Sequence, residues 1–312
     1  MSENTTASAL DRLRSALAAS SYRHRAMTVV YRWYCGYETP HVDLGHQGEL
    51  VTDNFTMHPA PETGLPSVQG REAYLDNVAA LPSGQRNAHQ LRSLSIDHTS
   101  AGTARVMITH DVETAGPAMT SAARMRSDVE LVQIPAERLP RIATMSEQIL
   151  NYQETPLMET YTEHRVLAFL HYWLSLLEQP ADAEPLRELL DADLAMTLSD
   201  GRILHTFDDV AAWYAGAGEL VDMSTHHVID RTITPGTDNS HDLAVNFAWE
   251  GITREGQPMT ARTRHHWTLA ETGERYLHLR RFAVTILDPF TPVTAQQALA
   301  HHDANYAEST PD

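Results

Sequence analysis

The sequence predicts an α+β protein built as a tandem duplication, each copy made of three helices packed on a curved antiparallel sheet. Three observations carry this. His24, Arg25, Trp33, Leu50 and Asp53 recur as His164, Arg165, Trp173, Leu190 and Asp193, each pair 140 residues apart. Asn87-Ala88-His89-Gln90 is answered by Thr225-His226-His227-Val228 at an offset of 138, and Met119-Thr120 by Met259-Thr260 at 140. Within each copy, helical apolar spacing gives way to long alternating segments. The period is too long for a solenoid, so the expected domains are 1–150, with an N-terminal helix, and 151–312, with a C-terminal tail.

The elements follow in order. Met27, Val30, Tyr31, Tyr34 and Cys35 recur at helical spacing, and Pro40 ends that helix. A short second helix covers Gly45 to Leu50. Phe55 and Met57 read as a strand entering a turn, because Pro59, Pro61 and Pro66 prevent regular pairing beyond it. A third helix runs from Arg71 to about Ala80 and stops at Leu81-Pro82-Ser83-Gly84. Four strands are then expected, His89 to Asp97, Thr103 to Glu113, Met119 to Gln133 and Arg141 to Leu150, with turns at Ala101-Gly102 and Ala115-Gly116-Pro117.

Copy two repeats the plan. Its helices are expected over Tyr161 to Glu178, Ala183 to Leu190 and Asp208 to Gly216, after a linker from Asn151 to Thr160. Its strands are expected over His226 to Thr234, Asp242 to Ile252, Met259 to Glu271 and Tyr276 to Leu287. One more helix is expected from Ala295 to His302. A curved sheet wrapped on helices makes a cone whose interior is a natural pocket for a small molecule.

Composition narrows the partners. Twenty-three Lys and Arg against 41 Asp and Glu give a formal net charge of -18. Nucleic acid and anionic membrane both need clustered positive charge, so neither is an expected partner. The lone Cys35 forms no intramolecular disulfide, and no apolar run approaches the roughly 20 residues of a membrane span. Residues 1–20 read as an amphipathic helix (Leu10, Leu13, Leu17) rather than a secretory signal, which gives an expected cytoplasmic location. The dinucleotide, Walker and nucleophile-elbow motifs are all missing from the chain.

The run Asp53-Asn54-Phe55-Thr56-Met57-His58-Pro59 and the later Gln69-Gly70-Arg71-Glu72-Ala73, in this order of elements, resemble the NTF2-like superfamily. The pattern is similar to that of SnoaL-like polyketide cyclases, ketosteroid isomerases and scytalone dehydratases. The resemblance spans nearly the whole chain, once per copy. It implies cofactor-independent chemistry with no metal, and dimerisation through the open sheet face. Two copies on one chain would make that contact internally, as a pseudo-dimer, and leave further homodimerisation open.

Carried over by residue, the resemblance puts Tyr34 at the position of an oxyanion-hole tyrosine and His58 at that of a general-base aspartate. The third member of the isomerase set falls near Met125, where copy one has no acid. His89 resembles a catalytic histidine of the dehydratases. His110 lies on the next strand, on one face with Ala104, Val106 and Ile108. The expected catalytic set is therefore Tyr34, His58, His89 and His110. In copy two Leu174 and Leu198 replace Tyr34 and His58, His227 takes the His89 place, and His227, Glu250 and His265 are its pocket candidates, with Trp249 and Trp267 as lining. Trp33 and Trp173 are expected in the core.

A histidine titrates near neutrality and a buried tyrosine can donate to a developing oxyanion. Together they suit isomerisation, dehydration or ring closure of a mostly apolar carbonyl or hydroxyl compound in the pocket of copy one. The alternative is a non-catalytic binding or scaffolding protein on the same cone. A third reading is epoxide hydrolysis by the carboxylates Asp53 and Asp111. Zinc at His58, His89 and His110 is disfavoured because no tight histidine pair links them.

Overall fold

The computed structural model describes residues 2–39, 43–81, 85–100, 102–116, 120–153, 158–178 and 180–308. Pro40, residues 82–84, Ala101, Pro117 and residues 154–157 of the expected linker lie outside them. The first copy runs α1 (Ser2–Glu38), α2 (Leu44–Gly48), β1 (Val51–His58), β2 (Val68–Gln69), α3 (Arg71–Ala79), β3 (Arg86–Ser100), β4 (Thr103–Ala115), β5 (Thr120–Val132) and β6 (Arg141–Gln153). The second runs α4 (Tyr161–Glu178), a 3-10 turn (Glu184–Leu189), β7 (Leu190–Thr197), β8 (Ile203–Leu204), α5 (Phe207–Leu220), β9 (Val221–Pro235), β10 (Ser240–Thr253), β11 (Pro258–Ala270), β12 (His278–Pro292) and α6 (Ala295–Glu308).

The duplication is plain in the pairing. One sheet has the order β2-β1-β6-β5-β4-β3, the other β8-β7-β12-β11-β10-β9. The two orders are identical after a shift of six strands. Each sheet is mixed rather than purely antiparallel: the short strand after the second helix pairs parallel with the last long strand, β1 with β6 and β7 with β12. Sequence alternation finds the four long strands of each copy. It does not find the two-residue strands β2 and β8, which are too short to show a period.

Contacts divide the chain into two compact units, Arg25–Ala168 and Met1–His24 with Phe169–Ser309. We call these the first and second units. Helix α1 thus serves both. Its early apolar positions Leu13 and Leu17 are fully buried with Ile252 and Ala298 in the second unit. From Arg25 onward it supplies the first unit with Trp33, which stacks on Tyr74 (centroids 5.3 Å apart) and meets Phe55 at 6.0 Å. Trp173 has the same part in the second unit, between Phe169 (6.2 Å) and Trp267 (6.1 Å). Each such aromatic pair adds about 0.5–1.5 kcal/mol beyond its buried area.

Local chemistry sets the boundaries. Thr206 and Asp209 form a reciprocal capping box at the start of α5. Gly102 turns β3 into β4 at φ 88°, a conformation that other residues rarely adopt. On β4, Ala104, Val106, Ile108 and His110 are all buried on one face, as alternation predicts. Among the described residues, no helix is long and apolar enough to cross a membrane.

Candidate active site

The first unit is organised around Glu38, the last residue of α1. Its side chain is 1% exposed. Oε1 accepts three bonds: from the backbone N–H of His89 (2.9 Å), from His89 Nδ1 (3.1 Å) and from Thr160 Oγ1 (2.7 Å). Oε2 takes His164 Nδ1 at 2.9 Å. Burial works against ionisation, but the hydrogen bonds from His164 and His89 outweigh it and hold the carboxyl down to about 2. Glu38 is therefore an anion at neutral pH. His89 must carry its proton on Nδ1 to donate to it, which leaves Nε2 as the basic nitrogen.

Tyr34 sits one helical turn before Glu38 and so projects from the same side of α1. Its ring lies 4.8 Å from that of His89 and 5.2 Å from that of His110. Its hydroxyl reaches His110 Nδ1 at a long 3.4 Å. Burial, followed by the charge of Glu147, raises the phenol's pKa, so it stays protonated. Burial, then repulsion from His89, pushes His110 down to about 3, so it is neutral, and its Nδ1 accepts from the Tyr34 hydroxyl in one tautomer and donates to it in the other. Glu147 on β6 completes the set. Burial alone pushes its carboxyl up to about 7.

The structure thus brings Tyr34, His89 and His110 together and leaves His58 apart. His58 is exposed and its Nδ1 bonds Ser67 Oγ at 3.0 Å. The cause is strand alternation: Phe55 points into the core, and His58, three residues on, falls on the other side. The carboxylates weighed for epoxide hydrolysis are also separate. Asp53 is exposed and pairs with Arg71 at 2.8 Å, while Asp111 is held by Arg92 and Arg124 at 2.8 and 2.7 Å.

The second unit repeats the carboxylate clamp. Glu178, the last residue of α4, accepts the backbone N–H of His226 at 2.7 Å and Thr225 Oγ1 at 3.3 Å. His24 Nε2 lies 3.3 Å from the same oxygen and 3.1 Å from the His226 carbonyl. Both neighbours are acceptors, so Nε2 carries the proton and Nδ1 accepts from His171 Nδ1 at 2.7 Å. Leu174 stands where Tyr34 stands in the first unit, so the phenol of that position has no counterpart beside this clamp.

The pocket candidates of copy two do not share one place. His265 points into the core against Phe247 (4.9 Å) and Phe282 (5.1 Å), and burial pushes it down to about 3. His227 and Glu250 lie on the opposite face of the sheet, 3.3 Å apart, beneath α6. His226, not His227, therefore holds the His89 position, because an offset of one residue exchanges the faces of a strand. The exposed face of this sheet also carries a groove of about 660 Å³ lined in part by Asp193, Thr232, Asp242, His266 and Arg281.

Sequence reasoning did not give Glu38, Thr160, Glu178, His164 or His226 a part in the site, although His164 and His226 mark the repeat. A signal was present: Glu38 and Glu178 are 140 residues apart, in register with His24 and His164.

No protein-family model matches the chain, and no curated protein does. Solved structures do. A type 2 hexachlorocyclohexane dehydrochlorinase is 11% identical, covers 48% of this chain and 95% of its own, and has a TM-score of 0.38. A type 3 dehydrochlorinase from Novosphingobium barchaimii is 12% identical over 48% of this chain and 97% of its own, with a TM-score of 0.37. A ketosteroid isomerase-like protein from Erwinia carotovora atroseptica is 12% identical over 46% and 95%, with a TM-score of 0.30. Each match covers a little under half of this chain.

Proposed function

We propose that the first unit carries out proton transfer, without an organic cofactor, on a small, mostly apolar carbonyl or hydroxyl compound, as an isomerase, dehydratase or cyclase. The single observation behind this reading is that one buried carboxylate, Glu38, fixes the tautomer of His89 beside the Tyr34–His110 pair. In this scheme His89 Nε2 removes or returns a proton on carbon, and Glu38 stabilises the imidazolium that forms, as a carboxylate partner does in a histidine dyad. Tyr34, its phenol still protonated, donates its one O–H to the oxygen that gains charge, while neutral His110, in the Nδ1–H tautomer, donates to the phenol oxygen and positions it. Glu147, near neutrality, is the acid that protonates a leaving hydroxyl or a second carbon.

The test is hydrogen–deuterium exchange on carbon. Cyclic ketones and β-hydroxy ketones are incubated with the full chain in deuterated buffer and followed by NMR. The reading expects exchange or water loss that His89→Ala and Glu38→Gln abolish and that Tyr34→Phe slows by 10²-fold or more. Exchange that survives His89→Ala, or none with any compound, overturns it.

A second reading, a non-catalytic binding protein, is favoured by one specific observation. The second unit keeps the same clamp at Glu178 with leucine in the tyrosine position, which suits a purely structural bond. That reading expects ligand-induced stabilisation with no exchange and no turnover.

A further inference from the structure

We propose that His227, Glu250 and His302 form a binding site for a divalent transition-metal ion of the zinc class in the second unit. His227 on β9 and Glu250 on β10 share the sheet face that α6 covers, and α6 brings His302 down onto them. The three side chains are 3%, 1% and 6% exposed. His227 Nε2, His302 Nδ1 and Glu250 Oε2 stand at the corners of a nearly equilateral triangle, with edges of 3.3, 3.1 and 3.2 Å. Ligands bound at about 2.0–2.1 Å around a tetrahedral zinc are separated by about 3.3–3.4 Å, so a cation slightly above this triangle reaches all three at bonding distance.

Hydrogen bonding alone satisfies the triangle poorly. If both facing nitrogens carry a proton, two N–H groups are turned toward each other. If only one does, the bare nitrogen lone pair faces the carboxylate oxygen. If neither does, three lone-pair atoms meet among side chains that are 1–6% exposed. A cation removes the conflict by taking the lone pairs of all three atoms, with any proton on the facing nitrogens released to solvent as it binds. Two imidazoles and one carboxylate are also the donor set of open catalytic zinc sites and of facial-triad iron(II) sites, and they leave further coordination positions free. The outer contacts fit: Asn305 Nδ2 donates to the other carboxylate oxygen at 2.8 Å and fixes its orientation. Helix α6 supplies both His302 and Asn305, so the ion would pin this helix to the sheet.

The experiment uses the tag-free full chain, dialysed against chelator and titrated with Zn²⁺ by calorimetry and with Co²⁺ by visible absorption. One equivalent is expected to bind, with the d–d bands of a low-symmetry nitrogen–oxygen site. Asn305→Ala is expected to weaken binding 10–100-fold, and His302→Ala more than that. His301→Ala, exposed and adjacent on α6, is expected to change nothing, and Glu38→Gln in the other unit is expected to leave the stoichiometry at one. X-ray absorption on the wild-type complex gives a readout independent of whether the variants fold: two imidazoles and oxygen near 2 Å support the site. Stoichiometry that His302→Ala leaves intact, a ligand set without two imidazoles, or no binding by the wild type overturns it.

Discussion

Glu38 and Glu178 end their helices with the same bond: each carboxylate accepts the backbone N–H of a histidine at the start of a long strand, His89 at 2.9 Å and His226 at 2.7 Å. Each also takes an imidazole from a helix, His164 or His24. Removing either acid strands several buried donors at once. Glu38→Ala and Glu178→Ala are each expected to cost about 3–5 kcal/mol, the range for breaking a buried ion pair from one side. Urea unfolding checks this: the midpoint should fall with an unchanged slope. A loss under about 1 kcal/mol for both would mean the clamp is not stabilising.

How much of this was legible in the sequence depends on periodicity. Trp33 and Trp173 recur 140 apart and both proved to be core residues. His110 could be placed inward because β4 alternates without interruption. His58 could not, because a family alignment fixes position along the chain but not the face of a strand, and Pro59 ends the alternation that would have shown it. His226 and His227 are neighbours on one strand, so an offset of 138 rather than 137 sufficed to choose the wrong face. Helix α1 lies further out of reach. Its 37 residues run unbroken, yet His24 and Arg25 belong to different compact units. Such a division depends on tertiary contacts, and helical periodicity carries no trace of it. The triangle under α6 unites positions 227, 250 and 302, which have no short spacing to betray them.

His58 and His89 can be separated by kinetics. The surface position of His58 gives it no part in the proposed proton transfer, so His58→Ala should hold kcat/KM within about twofold. His89→Ala should lower it by 10²–10⁴, the usual worth of a positioned acid or base. Equal losses in both variants would return His58 to the site.

Gly36 tests the geometry between Tyr34 and Glu38. A Cβ there would run into the amide of Gln47, which is buried and bonds the Trp33 carbonyl at 3.3 Å. Gln47 also accepts from Tyr74 at 3.3 Å, so it cannot move without breaking both bonds. Gly36→Ala gains helix propensity but overpacks this spot, and a net loss of about 1–3 kcal/mol is expected. Chemical denaturation measures it, and a stabilised variant would show that Gln47 gives way freely.

Glu147 links stability to the upper pH limb. Burial pushes its folded pKa up to about 7, above the ordinary carboxylate value near 4.5. A group raised in this way contributes stability that is fully present below pH 4.5 and lost as pH rises through 7. At pH 8 the wild type carries a desolvated carboxylate, a cost on the order of 2 kcal/mol once its partial exposure is allowed for. Glu147→Gln should match the wild type near pH 4.5 and melt higher at pH 8. If Glu147 is the acid of the reaction, the same variant should also lose the limb of the rate profile that falls above pH 7.

His265 sets the opposite limb. Its ring is packed among Phe247, Trp267 and Phe282, its Nδ1 has no hydrogen-bond partner among the described residues, and burial holds its folded pKa down to about 3. The unfolded chain takes up a proton near 6.5 that the folded chain refuses. Stability is thus intact above pH 6.5 and falls as pH drops toward 3, by about 1.4 kcal/mol per pH unit for each such histidine. His110 acts in the same window and the same sense. Glu38, held near 2, adds its own loss between about 4.5 and 2. Acid unfolding should therefore begin well above the carboxylate range. His265→Leu removes one histidine's slope and replaces an unsatisfied buried nitrogen with hydrocarbon of similar bulk. It should be at least as stable as the wild type at pH 8 and increasingly more stable between pH 6 and 4. Parallel stability curves for the two proteins across that range would show that His265 is protonated in the folded state.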